Sequence, residues 1–171
     1  MRNAFKYLSQ YSTTPKVVDR LIISAFLEIN KLELKKNKLL KSYSIRSKSK
    51  EEYSSLLEFV SAICVDTKVF GFEELIELFE FVISPADRII NGAIYTPQKI
   101  RKFIVEEAFK KINAIDSSIK ISDIAMGCGG FLFNASIELK KRTGKNFSEI
   151  FRNYIFGLDI QKYSVNRTKL L

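Results

Sequence analysis

The chain of 171 residues contains no histidine, two cysteines and three prolines, and each shortage removes a class of chemistry. Without imidazole, the usual zinc sites and nucleophiles activated by a Ser–His or Cys–His pair are excluded. Cys64 and Cys128 stand in unrelated contexts and form neither a metal-ligand spacing nor a disulfide pattern. No metal is expected, and a reducing cytoplasm is the simplest home for the protein. No apolar run approaches a membrane span in length. The opening residues, from Met1 to Tyr7, lack the apolar block of a secretory signal. No polar low-complexity tract argues for disorder, and hydrophobic residues at 46% of the chain suffice for a packed core.

Charge is abundant but uneven. Of the net +9, residues 1–50 hold 12 Lys/Arg against 3 Asp/Glu, residues 51–90 hold 2 against 9, and residues 91–171 hold 14 against 7. A basic arm beside an acidic segment either pairs within the molecule or faces a polyanion such as DNA.

A hydroxyl followed by proline, Thr14-Pro15, predicts a helix start. Val17, Val18, Leu21, Ile22, Ala25, Phe26 and Ile29 recur at helical spacing, and this helix is expected to continue through Leu32 towards Leu40. Ser42 to Ser49 reads as a basic, polar connector. Ser49 and Glu52 fit a capping box, opening a second helix from about Glu51 to Cys64 that buries Leu56, Leu57, Val60 and Ile63. Beyond Gly71, Phe72 to Ile83 makes a third, with Glu73, Glu74, Glu77 and Glu80 outward. Residues 1–90 are therefore expected to form a helical N-terminal region, and residues 91–171 a separate α/β part.

In that second part, Ser84 to Arg88 is read as a loop, and Thr96-Pro97 marks another helix start. Its apolar face is expected to be Ile100, Phe103, Ile104, Ala108, Phe109 and Ile112. A strand over Ile119 to Ile124 follows. Next come a helix from Phe131 to Lys141 stopped near Gly144, a short helix around Phe147 to Asn153, and a second strand from Tyr154 to Asp159. A further helix begins at Gln161. This is a β-α-β unit with its next helix begun, and it cannot bury a sheet by itself.

The richest stretch joins the first strand to its helix: an acidic strand end at Asp123, then three glycines, Gly127, Gly129 and Gly130, within four positions. Such a pattern makes a strand, a tight turn and a helix whose first amides face a ligand. Glycine suits the turn because φ can be positive there and no Cβ holds the backbone away from what it binds. The stretch has neither the Gly-x-Gly-x-x-Gly order of dinucleotide folds nor the Lys-Ser/Thr ending of a phosphate loop. A carboxylate at the strand end repels pyrophosphate but suits a ligand carrying an ammonium group, such as S-adenosylmethionine. Asp159, ending the second strand 30 residues beyond Gly129, is placed to accept hydrogen bonds from ribose hydroxyls. The two carboxylates are expected to face one hollow.

Three elements in order, Tyr95-Thr96-Pro97, Asp123 to Leu132, and Gly157-Leu158-Asp159, carry a resemblance. The segment from Asn91 to Leu171 resembles the start of the amino-methyltransferases of DNA, specifically the adenine-modifying enzymes of bacterial restriction–modification systems. Their cofactor motif, Asp-Pro-x-Cys-Gly-Ser-Gly-x-Phe-Leu, corresponds in register to Asp123 through Leu132. The resemblance implies a Rossmann-like fold, here its first β-α-β part with an incomplete sheet, that uses S-adenosylmethionine and acts on DNA. Tyr95, Thr96 and Pro97 are then expected to border the methionine end of the cofactor. Asp123 is expected to meet its ammonium group, directly or through water. Gly127 and Gly129 admit the cofactor to the main chain, Asp159 takes the ribose hydroxyls, and Ile160 packs on the adenine. Ala125 and Phe131, within the same motif, complete the cofactor-binding set, while Leu132 is assigned to helix-to-sheet packing.

The chain departs from the family pattern at Ile124, where proline is usual, and at Met126, where cysteine is usual. Cys128 takes the hydroxyl-bearing position, and with no histidine or basic neighbour in sequence it reads as a small packing residue. The family's catalytic loop, Asp/Asn/Ser-Pro-Pro-Tyr/Phe, holds the target amine and stacks on the extruded base. No Pro-Pro pair exists here, since the prolines are Pro15, Pro85 and Pro97. No catalytic residue is assigned. That loop is expected downstream of Leu171 in a longer enzyme, and these residues by themselves are expected to be inactive. A specificity subunit or restriction subunit is a further expected partner. Two other readings stand beside this one: a non-catalytic DNA- or protein-binding module with a remnant methyltransferase fold, or a methyltransferase acting on RNA or protein. Glu33-Leu34-Lys35 with Asp19 formally matches half of a metal-dependent nuclease site, but it falls in a helical, lysine-rich pattern rather than on strands.

Overall fold

The computed structural model describes residues 1–34, 36–46, 49–83, 94–112, 115–116 and 119–171. The chain divides into two compact units, Met1–Ala93 and Ile94–Lys169 with Leu171. The loop expected over Ser84 to Arg88 lies outside the described residues, as do Lys35, Ser47 and Lys48.

The first unit holds five helices among the described residues: α1 (Arg2–Tyr11), α2 (Pro15–Ile29), α3 (Lys38–Tyr43), α4 (Lys50–Asp66) and α5 (Phe72–Phe81). Helix α1 has no cap of its own. The carboxylate of Asp66, at the far end of α4, accepts from the Ala4 amide and the Asn3 side chain, both at 2.9 Å. That satisfies donors which a helix start leaves open. Proline at its first position starts α2. The core is built from Leu21, Ile22 and Ile23 of α2, Leu56, Phe59 and Ile63 of α4, and Leu75, Leu78 and Phe79 of α5, all fully buried. Each such side chain stabilises the fold by about 1.5–3 kcal/mol.

Three expectations are corrected in this unit. Helix α2 does not reach Leu40 but ends at Ile29. Asn30 there donates its side-chain amide to the carbonyls of Phe26 (2.9 Å) and Phe70 (3.0 Å), and Lys31 turns left-handed at φ 52. The capping box at Ser49 does not form. The Ser49 side chain makes no cap bond, and Glu52 instead takes the Arg20 guanidinium through two oxygens at 2.8 and 3.2 Å. Leu57 is exposed, and Phe59 fills the core in its place. Glu33 is exposed after the end of α2 and Asp19 is buried within it, so the two do not share the strand setting a nuclease site uses.

The second unit runs α6 (Gln98–Lys110), β1 (Ile121–Asp123), α7 (Gly130–Thr143), α8 (Phe147–Asn153), β2 (Ile155–Gly157) and α9 (Lys162–Leu170). Gly144, at φ 69, stops α7 by donating its amide to Lys140 at 2.9 Å. Asn146 caps α8 by accepting from the Glu149 amide at 2.9 Å. Strands β1 and β2 pair in parallel, with Ile121 opposite Ile155 and Asp123 opposite Gly157. A parallel pair needs a crossover, and α7 with α8 supplies it. Val105, Phe109, Leu132, Leu139, Ile150 and Ile155 form the core. The chain is thus α/β, mostly helical, with a two-stranded parallel sheet among the described residues.

The buried face of α6 differs from the expected one. Ile100, Phe103, Ile104 and Ala108 are exposed, and the helix buries Arg101, Val105 and Phe109. Arg101 sets the rotation. Its guanidinium donates to the Thr96 carbonyl at 2.9 Å and packs where a Cβ on Gly130 would lie.

Candidate functional site

Parallel pairing brings the ends of β1 and β2 side by side, so Asp123 and the exit from β2 begin the site. Hydrogen bonds run past the strand ends. The Leu158 amide donates to the Asp123 carbonyl at 2.9 Å, and the Met126 amide donates to the Leu158 carbonyl at 3.0 Å. The segment after β1 is thereby stapled to the segment after β2 before any ligand is considered.

Within that segment the backbone turns sharply. The Asp123 carboxylate accepts from the Ala125 amide two residues on, at 3.0 Å, the short side-chain turn that aspartate favours. Gly127 lies at φ 54 and Gly129 at φ 81, the left-handed region that glycine enters without steric cost. The Gly129 amide then bonds back to the Met126 carbonyl at 2.8 Å, and α7 begins at Gly130. The expected strand, glycine turn and helix are all present.

Both glycines also sit where a side chain does not fit. A Cβ on Gly127 would meet the ring of Tyr95 at 3.0 Å, and one on Gly129 would meet Thr168 at 2.9 Å and Leu171 at 3.0 Å. Close approach is therefore real at this turn, but in this structure the approaching groups are the chain's own.

Asp159 likewise turns towards the chain. One carboxylate oxygen accepts from the Gly127 amide at 2.9 Å and the other from the Gln161 amide at 2.7 Å, ahead of α9. From α9, the Thr168 hydroxyl donates to the Gly127 carbonyl at 3.1 Å. Gly127 thus has both backbone groups engaged, one by the end of β2 and one by α9. A cavity of about 480 Å³ lies beside the turn, lined mainly by apolar groups including Met126, Leu132, Ile155 and Val165. Neither Asp123 nor Asp159 lines it.

The remaining expected residues fall in three positions. Tyr95 is half-buried against Gly127, and burial first, then the neighbouring Cys128 thiol, pushes its phenol well above the ordinary tyrosine value. Thr96 is tied to α6 through Arg101, and Pro97 is exposed at the α6 cap. Ile160 is 88% exposed beside Asp159, whereas Phe131 is partly buried and packs against the core. Cys128 is buried, and Leu132 is a core residue.

Sequence reasoning missed Arg101, Thr168 and Arg167. Arg101 sits between Lys99 and Lys102 in a basic stretch and reads there as one more solvated cation. Thr168 is an ordinary helical residue whose role arises only because α9 returns to the turn. Arg167 is fully buried with its guanidinium 5.0 Å from the Tyr163 ring centre. Among the described residues no group of three or more His, Cys, Asp or Glu side chains is placed to hold a metal. No described helix is long and apolar enough to cross a membrane.

A family model described as N-6 DNA Methylase matches residues 73–170. No curated protein and no solved structure matches the chain.

Proposed function

Since this chain belongs to the N-6 DNA methylase family, we propose that it is the S-adenosylmethionine-binding start of an adenine-N6 DNA methyltransferase from a cytoplasmic bacterial restriction–modification system. In this reading residues 1–90 form a helical region that contacts DNA or a specificity or restriction subunit. Residues 91–171 open a Rossmann-like catalytic domain. The observation that carries the reading is the glycine turn, held between two carboxylates at the ends of adjacent parallel strands. The donor chemistry fits the cofactor: carboxylates for an ammonium group and for ribose hydroxyls, glycines at positive φ, and an exposed aliphatic side chain for an adenine face.

Asp123 would hold the methionine ammonium, and Asp159 the ribose once it releases the Gly127 amide. Ile160 would cover the adenine. Tyr95, Thr96 and Pro97 would border the methionine end, with Gly127, Gly129 and the exposed Ala125 admitting the ligand to the main chain. Phe131 would support the turn from the core side. The cofactor supplies an electrophilic methyl group, while the protein's part is to align donor and acceptor and exclude water. No Pro-Pro-aromatic element exists among these residues, and none of them is assigned to hold the adenine amine.

A second reading, a binding module with a remnant fold, draws on one observation: both backbone groups of Gly127 are already bonded within the chain. Amide NMR with added S-adenosylmethionine separates the two. Weak, saturable shifts confined to residues 123–131 and 157–161, without methyl transfer to DNA, are expected for a cofactor site. No shift at millimolar ligand refutes the cofactor site, and robust transfer refutes the missing catalytic loop.

A further inference from the structure

The first unit contains a polar hollow of about 360 Å³, lined by none of the residues assigned to the cofactor. Lys16 and Arg20 reach it from the first turns of α2, Lys41 from α3, and Arg46 from the segment after α3. Its one carboxylate is Glu52, which is already bound through both oxygens to Arg20. Lys16, Lys41 and Arg46 have no carboxylate partner among the described residues. Three uncompensated cations around one concavity focus a positive potential that neighbouring like charges cannot relieve.

Polar groups accompany the charge. Ser49 lines the hollow, and its hydroxyl makes no bond to the start of α4, which it precedes. Lysine and arginine at the rim with a hydroxyl in the wall match the tetrahedral oxyanion of a phosphate, through point charge, guanidinium fork and short hydrogen bond. The hollow also lies in the most basic third of the chain, where residues 1–50 carry 12 Lys/Arg against 3 Asp/Glu.

We propose that the Lys16–Arg20–Lys41–Arg46 hollow is a phosphate-binding site that anchors the first unit to the backbone of a DNA duplex. The inference rests on DNA being the family's substrate, and it does not depend on the cofactor reading. Contacts of this kind set orientation and affinity and carry no base sequence. Binding through them releases counterions, so affinity falls with salt at a slope of about 0.9 per phosphate neutralised.

The test is fluorescence anisotropy of a labelled duplex with the 171-residue chain across a range of potassium chloride concentrations. Lys16→Gln, Lys41→Gln and Arg46→Gln together should lower the magnitude of the log–log salt slope by about 2–3. A control triple at exposed cations of the same unit, Arg2→Gln, Lys6→Gln and Lys68→Gln, should leave the slope unchanged. Equal slopes for both triples, or no change in either, overturn the site. Inorganic phosphate at constant ionic strength should compete only weakly. Displacement of the duplex by low-millimolar phosphate would assign the hollow to a free anion and overturn the DNA assignment. The duplex slope and the cofactor-induced amide shifts read different units, so failure of one reading is distinguishable from failure of the other.

Discussion

Replacing Gly129 by alanine tests whether the turn is shaped by its own chain. Two costs add at this position. A left-handed φ of 81 places an L side chain in a region that costs about 1–2 kcal/mol. The new methyl would also lie 2.9 Å from the Thr168 Cγ2 and 3.0 Å from the Leu171 Cδ1, an overpacking worth about 1–3 kcal/mol. Gly144 supplies the internal control, since its φ is 69 and nothing lies within 4 Å of a Cβ built there. Gly144→Ala should therefore cost only the backbone strain, about 1 kcal/mol after the gain from a stiffer unfolded chain. Gly129→Ala should cost about 2–4 kcal/mol. Native-state hydrogen exchange of the α7 amides reads both, because it reports the stability of that element alone. Thr168→Ser removes the Cγ2 methyl and should recover part of the Gly129→Ala loss, a coupling visible in a double-mutant cycle. Equal costs at the two glycines, with no coupling to position 168, would refute the packing of α9 on the turn.

Four further outcomes are expected. Phe59→Ala, at a fully buried core position, should destabilise the first unit by about 3–5 kcal/mol in urea unfolding. Asn146→Ala removes the acceptor for the Glu149 amide and should cost about 1 kcal/mol, seen as faster amide exchange in α8. Burial, before any charge, raises the phenols of Tyr7 and Tyr11 above their ordinary 10.0, so the folded state retains protons that the unfolded state releases. Their stabilisation should be fully present below pH 10 and lost as the pH rises through the folded values, which alkaline thermal melts would reveal. Thr168→Val removes the donor to the Gly127 carbonyl and should tighten S-adenosylmethionine binding several-fold by NMR titration; weaker or unchanged binding would count against competition at the turn.

Local punctuation was the legible part of the fold. Pro15, Pro97 and Gly144 each act at the element boundary expected of them, because their effects depend on their own dihedral. The strand–glycine–helix junction was legible for the same reason: Gly127 and Gly129 adopt the positive φ that the turn requires. What periodicity could not supply was choice among competing partners. Helix α6 presents two stripes, and the apolar one, Ile100 with Phe103 and Ile104, is exposed because Arg101 has a carbonyl to bond and a glycine to pack on. Glu52 had a local use at Ser49 but binds Arg20, 32 residues earlier in the chain. Leu32, Leu34, Leu39 and Leu40 suggested a longer α2, but Asn30 closes that helix with the help of a partner, Phe70, 40 residues away. Each miss involves a long-range contact that outcompetes a neighbour in sequence.

The same competition governs the candidate site. An empty cofactor turn with free amides would bind ligand by addition, each contact being net gain. Here the Gly127 amide and carbonyl are taken by Asp159 and Thr168, and the Ala125 amide by Asp123. Binding then becomes exchange, and an incoming ligand has to replace hydrogen bonds that the chain already makes within itself. Net closure worth about 1.5–3 kcal/mol, as for bonds to a charged acceptor, lowers apparent affinity by about 10- to 150-fold relative to an open turn. Asp159 has opposite effects in that balance, since it both closes the turn through the Gly127 amide and is the group proposed to grip the ribose. Thr168 has only the first role. The two residues should therefore part in their effects: losing the threonine hydroxyl opens the turn without removing a ligand contact, whereas losing the aspartate does both. Weak cofactor binding by this chain is thus the expected property of a turn whose backbone groups are already bonded within the chain.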